Sequence, residues 1–113
     1  MEAKATARYL KSGPRKARLV ADEVRGKMVG DALSLLEFSI KKSVSNDISK
    51  LIKSAVANMQ DVNKEVTVDA DELRIKEIRV DEGPVQKRFR ARAQGRAGRI
   101  LKKSCHISVT VSN

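Results

Sequence analysis

The sequence predicts an α+β fold: three helices packed on a small antiparallel three-stranded sheet, with a long projecting β-hairpin. Three observations lead there. Apolar residues recur at helical spacing over residues 14–62, they alternate with period two near the end of the chain, and a strongly cationic insert lies between two strands. The 113 residues suit one domain, 1–113, with a single core, and the insert 84–103 forms an extended basic arm on it.

Each element has its own signal. Residues 3–11 alternate lightly, with Lys4, Thr6 and Arg8 on one side and Ala5, Ala7 and Tyr9 on the other, which predicts an edge strand. Ser12-Gly13-Pro14 breaks it. Pro14 suits the first position of a helix, where its missing N–H would be unpaired anyway. That helix should run to Arg25 with Ala17, Val20, Ala21 and Val24 inward, and Gly26 should stop it. A second, shorter helix over about 29–38 should bury Val29, Ala32, Leu33 and Leu36.

The third helix, from Lys42 to about Asp61, is the best-patterned segment. Val44, Ile48, Leu51, Ile52, Ala55, Val56, Met59 and Val62 recur at steps of three and four, as a core-facing stripe requires. After the polar link Asn63-Lys64-Glu65, a β-rich region carries Leu73, Ile75, Ile78 and Val80. Its apolar phase slips by one between Ile75 and Ile78, which a bulge or burial on both faces would explain. In the last strand Cys105, Ile107, Val109 and Val111 share one face, opposite Ser104, His106, Ser108 and Thr110.

Charge is unevenly distributed. The net charge is +10, and Pro84 to Lys103 holds Lys87, Arg88, Arg90, Arg92, Arg96, Arg99, Lys102 and Lys103, with no acid after Glu82. Such segregation is the electrostatic footprint of a polyanion binder. The segment has too few large apolar side chains to make a core and too many like charges to collapse by itself. A helix would also align several of its arginines, but Gly95 and Gly98 would each weaken that helix by ~1 kcal/mol relative to Ala. Antiparallel strands on both sides favour a hairpin, and a disordered tail would not return to the core. Roughly ten residues per arm at about 3.3 Å each give a reach on the order of 30 Å.

Composition narrows the mechanism. Aromatics are 3% of the chain, only Tyr9, Phe38 and Phe89, so phosphate contact and shape reading are expected instead of base stacking. One cysteine, Cys105, rules out an internal disulfide framework and fits a reducing cytosol, with a small buried hydrophobe as its expected role. Met1 to Thr6 lacks the apolar run of a signal peptide, and no window approaches the roughly 20 apolar residues of a membrane span. A soluble cytoplasmic protein is expected.

Enzyme chemistry finds no support. The single histidine, His106, neighbours Cys105 on a strand, where adjacent side chains point to opposite faces and cannot pair as nucleophile and base. Asp69, Asp71 and Glu72 read as a solvated turn and not as a metal site. Gly95-x-x-Gly98 lacks the strand–loop–helix setting of a phosphate loop. No cofactor, metal or small-molecule substrate is expected. Sequence-specific DNA binding fares no better, because the helix that would read a groove carries Asp31 and Glu37 and no Lys or Arg.

Several strings together carry a family resemblance. They are Pro14-Arg15-Lys16-x-Arg18-Leu19-Val20, Arg25-Gly26-Lys27, Asp81-Glu82-Gly83-Pro84, and Lys87-x4-Arg92-Ala93-x-Gly95-Arg96-x9-His106-Ile107-x-Val109-x-Val111. Over essentially the whole chain, in order, it resembles the bacterial large-subunit ribosomal protein twenty-two family. Two departures stand out: Gly13 where many relatives have Ser before the proline, and Phe89-Arg90-Ala91 where relatives often carry an Ile/Met-Pro step.

The resemblance implies a structural constituent of the large subunit that binds and bridges its rRNA and supports assembly. Its partners would be that rRNA, neighbouring large-subunit proteins, and the nascent peptide near a hairpin tip lining the exit tunnel. By carry-over the tip falls on Gln86, Lys87, Arg88, Phe89, Arg90, Ala91 and Arg92. Arg96, Arg99, Lys102 and Lys103 would follow rRNA along the arm, the Pro14–Arg18 helix start with Arg15, Lys16 and Arg18 would form a second clamp, and Arg8 and Lys11 are further expected rRNA contacts.

Overall fold

The computed structural model describes residues 2–40, 42–62, 72–91 and 97–112; at 62, 88–91 and 97–100 only the backbone is described. The element order is β1 (Glu2–Leu10), α1 (Pro14–Val24), α2 (Val29–Glu37), α3 (Lys42–Val62), β2 (Arg74–Glu82), β3 (Gln86–Ala91), β4 (Ala97–Lys102) and β5 (Cys105–Ser112). The main sheet has the order β1-β5-β2, antiparallel throughout. The expected α+β class, three helices on a three-stranded sheet, is what the chain adopts.

The last strand is the middle one. Cys105, Ile107, Val109 and Val111 are fully buried under the helices, and His106, Ser108, Thr110 and Ser112 lie half-buried on the other face. From α3, Val44, Ile48, Leu51, Ile52, Ala55 and Met59 enter the core, so the stripe read from the sequence is the packed face; the side chain of Val62 lies outside the described residues. From α1 come Pro14, Ala17, Val20, Ala21 and Val24. Gly26 has φ 78°, a left-handed geometry that glycine adopts without strain, and it ends the α1 segment.

The phase slip in β2 is a bulge. Ile75 pairs with Val111 and Glu77 with Thr110, leaving Lys76 extra, after which Ile78 and Val80 return to the core. A second irregularity lies in β1, where Ala7 pairs with Ile107 and Leu10 with Cys105, so Arg8 and Tyr9 together oppose His106. Tyr9 has φ 57°, uncommon for a residue with a side chain. Its backbone N–H donates to His106 Nδ1 at 3.0 Å, and the two rings meet edge-on with centroids 4.9 Å apart. His106→Ala, which removes both contacts, is expected to destabilise the domain by about 0.5–1.5 kcal/mol in chemical denaturation. An unchanged midpoint would show that the bulge holds its shape without the imidazole.

The outer edge of β2 is partly covered. Val29 N–H donates to Leu73 O at 3.0 Å and Ile75 N–H to Lys27 O at 2.9 Å, with Met28 bridging Arg74. The α1–α2 connection thus acts as a short extra strand and blunts an edge that would otherwise stay open.

β3 and β4 form a separate two-stranded antiparallel ladder, running from Gln86 opposite Lys102 to Ala91 opposite Ala97. Its root is tight. Gly83 N–H donates to Ser104 O at 3.0 Å, and Ser104 Oγ donates to Pro84 O at 2.7 Å. A Cβ on Gly83 would press on Ser104 Oγ and lie 3.2 and 3.3 Å from the carbonyl carbon of Ser104 and the amide nitrogen of Cys105. Gly83→Val is therefore expected to destabilise by about 1–3 kcal/mol, since the hydroxyl cannot turn away without losing its bond to Pro84. A denaturation midpoint equal to the parent's would refute the close approach.

The radius of gyration is 17.1 Å and the principal extents are 66 × 25 × 16 Å. A compact chain of this length would have a radius near ~13 Å. The molecule is elongated.

Candidate nucleic-acid interface

The described cations singled out from the sequence sort into three places. The first is a cleft of about 890 Å³ between the start of α1 and the root of the β3–β4 ladder. Lys11, Arg15, Lys16, Arg18, Lys102 and Lys103 line it, with Glu82 as its one acid, alongside Gly13, Pro14, Gln86 and Leu101. The two clamps read separately from the sequence, the helix start and the arm, meet in this one cleft.

Local backbone chemistry reinforces the side chains. Gly13, the residue before α1, offers no side-chain cap, Pro14 follows it, and the first turn holds no acid. The first intrahelical bond is Ala17 N–H to Gly13 O at 3.3 Å, so the amides of the opening turn have no capping acceptor from the helix itself. A helix N-terminus in this state carries partial positive charge and attracts anions. Here it adds to Arg15 and Lys16, both exposed beside it. Six cations on low-dielectric walls focus potential far more than the same charges spread over a surface.

Arg18 differs from its neighbours. Its Nε and Nη2 donate to the Val80 carbonyl at 3.3 and 3.2 Å, tying α1 to β2 while the guanidinium stays at the cleft wall. It is anchored in position, with the remaining N–H groups left for an anion. Arg25, which the sequence reading did not single out, makes the same kind of tie: Nη2 donates to Ile78 O at 2.9 Å, and Nη1 pairs with Asp22. Arginines facing β2 backbone carbonyls have no sequence signature, because the partner is a main-chain group more than fifty residues away.

The second place is the outer face of the main sheet. Arg8 lies there beside Lys4, Thr6, Tyr9, Asp81, His106 and Ser108, and not in the cleft. Charge on this face is mixed. Lys76 hydrogen-bonds Glu2, lowering that carboxyl's pKa chiefly through the bond, and Arg79 pairs with Glu77 at 3.1 Å. Arg8 thus stands apart from Lys11 and Arg15, with β1's bulge and the turn after it between them.

The third place is the ladder. Lys87 is exposed on β3 opposite Leu101. Arg88, Phe89, Arg90 and Ala91 follow on β3, and Arg99 lies opposite Phe89, in backbone position only. Arg92 and Arg96 lie outside the described residues, as do Asp69 and Asp71. Of the expected tip, 86–92, Arg92 lies outside the described residues. Gln86 lines the cleft at the root of the ladder, and residues 86–91 are its first strand.

The thiol of Cys105 is fully buried, and desolvation pushes its pKa up, which keeps it protonated and inert. Among the described residues no group of three or more His, Cys, Asp or Glu is placed to hold a metal.

An α+β domain with a basic ladder and a six-cation cleft at an uncapped helix start has the electrostatic layout of a polyanion binder. The chain matches the family model described as Ribosomal protein L22p/L17e over residues 5–112 of 113, and it belongs to that family. It is accordingly a structural protein of the large ribosomal subunit, in the cytoplasm. The family implies large-subunit rRNA and other ribosomal proteins as its partners.

Proposed function

We propose that the chain binds large-subunit rRNA through the α1 cleft and the β3–β4 ladder, bridges separate RNA segments, and so supports assembly of the subunit. The cleft carries this reading: six cations against one acid, the cations coming from two chain segments more than eighty residues apart. Lys11, Arg15, Lys16, Lys102 and Lys103 contact phosphates, and Arg18 does so from a fixed position. Lys87, Arg88, Arg90, Arg92, Arg96 and Arg99 continue the track along the arm, and Arg8 offers a separate contact on the sheet face. With so few aromatics, recognition rests on backbone and shape.

The arm 84–103 acts as a projecting hairpin. Its distal part, from Arg90 and Ala91 onward, helps line the nascent-peptide exit tunnel and meets the peptide there; Gln86, at the root, stays with the domain. The role is scaffolding. No catalysis, cofactor or small-molecule substrate is assigned.

The test is binding of the purified protein to large-subunit rRNA and to random duplex DNA across a salt series, with a variant lacking 85–102. The apposition of Gly83 and Ser104 lets that deletion close without stretching the domain. Preference for the rRNA that survives near-physiological salt and is lost in the deletion is the expected result. Equal, salt-labile binding to both nucleic acids would refute it.

A further inference from the structure

The bulge in β1 turns an aromatic ring out of the core. Alternation along the strand sends Ala3 and Ala5 inward, both buried, and would carry Tyr9 inward with them. The extra residue opposite His106 and the left-handed backbone at Tyr9 reverse this, and Tyr9 stands 65% exposed beside Arg8. Bulges that re-aim a side chain, and backbone geometries that a residue seldom adopts, gather at ligand sites.

The re-aimed ring joins a pocket of about 430 Å³ on the outer sheet face. Three strands contribute one row across it: Arg8 and Tyr9 from β1, His106 from β5 and Asp81 from β2. Lys4 and the hydroxyls of Thr6 and Ser108 lie alongside. His106 accepts the Tyr9 N–H at Nδ1, so the ring's own proton sits on Nε2, where it is a donor. Elsewhere on this face the acids are matched, Glu2 by Lys76 and Glu77 by Arg79. Asp81 has no such partner among the described residues, and its carboxylate stays available as an acceptor.

An exposed aromatic ring, a donor, an acceptor and two cations in one pocket suit a splayed-out nucleotide: its base stacks, its edge is hydrogen-bonded and its phosphate is neutralised. A carboxylate in that set accepts from exocyclic amino groups. A duplex hides its ring faces and cannot use Tyr9. Position selects the source. On β2, Asp81 lines the pocket and the next residue, Glu82, lines the cationic cleft. On the other side Arg8 is in the pocket and Lys11 in the cleft, a separation of at most on the order of 10 Å along the chain. An RNA strand leaving the cleft over this end of the sheet meets the pocket next.

We propose that the Tyr9–His106 pocket takes one unpaired, amino-bearing nucleotide of the large-subunit rRNA, with its base on Tyr9, its amino group on Asp81 and its phosphate on Arg8. This rests on the rRNA reading of the cleft and adds a base contact to a grip made otherwise of phosphate and shape. The experiment uses the full chain bound to large-subunit rRNA. Chemical probing of unpaired bases and affinity across a salt series are compared for the parent, Tyr9→Leu, Tyr9→Phe, Asp81→Ala and the cleft pair Lys16→Glu with Lys102→Glu.

The expected result is an unpaired base whose protection is lost in Tyr9→Leu and restored in Tyr9→Phe. Tyr9→Leu should weaken binding by about fivefold or more with the salt slope unchanged, because a stack is lost and no phosphate contact is. Asp81→Ala should weaken binding too, although removing an acid from a polyanion binder would strengthen it by charge alone. Asp81 is exposed, so this second variant carries the test if Tyr9→Leu fails to fold. No Tyr9-dependent protection, parent affinity in folded Tyr9→Leu, or tighter binding by Asp81→Ala, beside a weakened cleft pair, would overturn the pocket and leave the rRNA reading standing. Parent affinity in every variant would overturn both.

Discussion

Reversing charge on both walls of the cleft, with Lys16→Glu and Lys102→Glu, should weaken binding to large-subunit rRNA by about 25- to 60-fold near 0.1 M salt. Each neutralised phosphate contributes about 0.7–0.9 decades of affinity per decade of salt, so two lost contacts remove about 1.4 to 1.8 decades at a salt concentration one decade below 1 M. The same loss should flatten the plot of log K against log salt by roughly 1.4 to 1.8. Both residues are exposed and neither enters the core, so far-ultraviolet circular dichroism should be unchanged. Either single variant should lose less than the pair. Because the two residues line one cleft, their effects should also couple when they grip the same RNA segment. Parent affinity and parent slope in the double variant would refute the cleft as the grip and leave the arm alone in that role.

The largest stability effect is expected at Ile52→Ala. Ile52 is fully buried on α3, the helix that packs against both β1 and β5. Truncation removes buried methyl groups and leaves a cavity, which together destabilise by about 2–5 kcal/mol. For a domain of this size each kcal/mol corresponds to several degrees, so Tm should fall by on the order of 10 °C or more. Leu51, at 6% exposure, sits at the rim of the same face. Leu51→Ala belongs to the same class but should fall nearer the low end of that range. A thermal scan of the two variants against the parent separates the outcomes. If Ile52→Ala melts like the parent, α3 does not carry the core in solution.

The local structure was legible because it is local physics. The α1 face of Ala17, Val20, Ala21 and Val24 and the α3 stripe were readable from periodicity, which reports which side of a helix avoids water. The slip between Ile75 and Ile78 was readable as a possible bulge because a single extra residue flips every later side chain to the other face. The alternation from Cys105 to Val111 read correctly for the same reason. Charge segregation marked the chain as a polyanion binder, and the short family strings brought the ribosomal expectation with them.

What stayed hidden depends on contacts between distant segments. Nothing in the sequence says that Lys102 and Lys103 stand across from Arg15 and Lys16, since that follows from the closure of Gly83 on Ser104. Arg18 and Arg25 reach the carbonyls of Val80 and Ile78, main-chain groups that are identical at every position and so leave no trace in residue type. Tyr9 takes a left-handed backbone because His106 waits to accept its N–H, a pairing across 97 positions. The sequence by itself determined the helix faces, the strand alternation and the sign of the ligand's charge. Tertiary structure alone decided that two basic segments form one cleft, because that requires the sheet order β1-β5-β2 and the tight root of the β3–β4 ladder to bring them together.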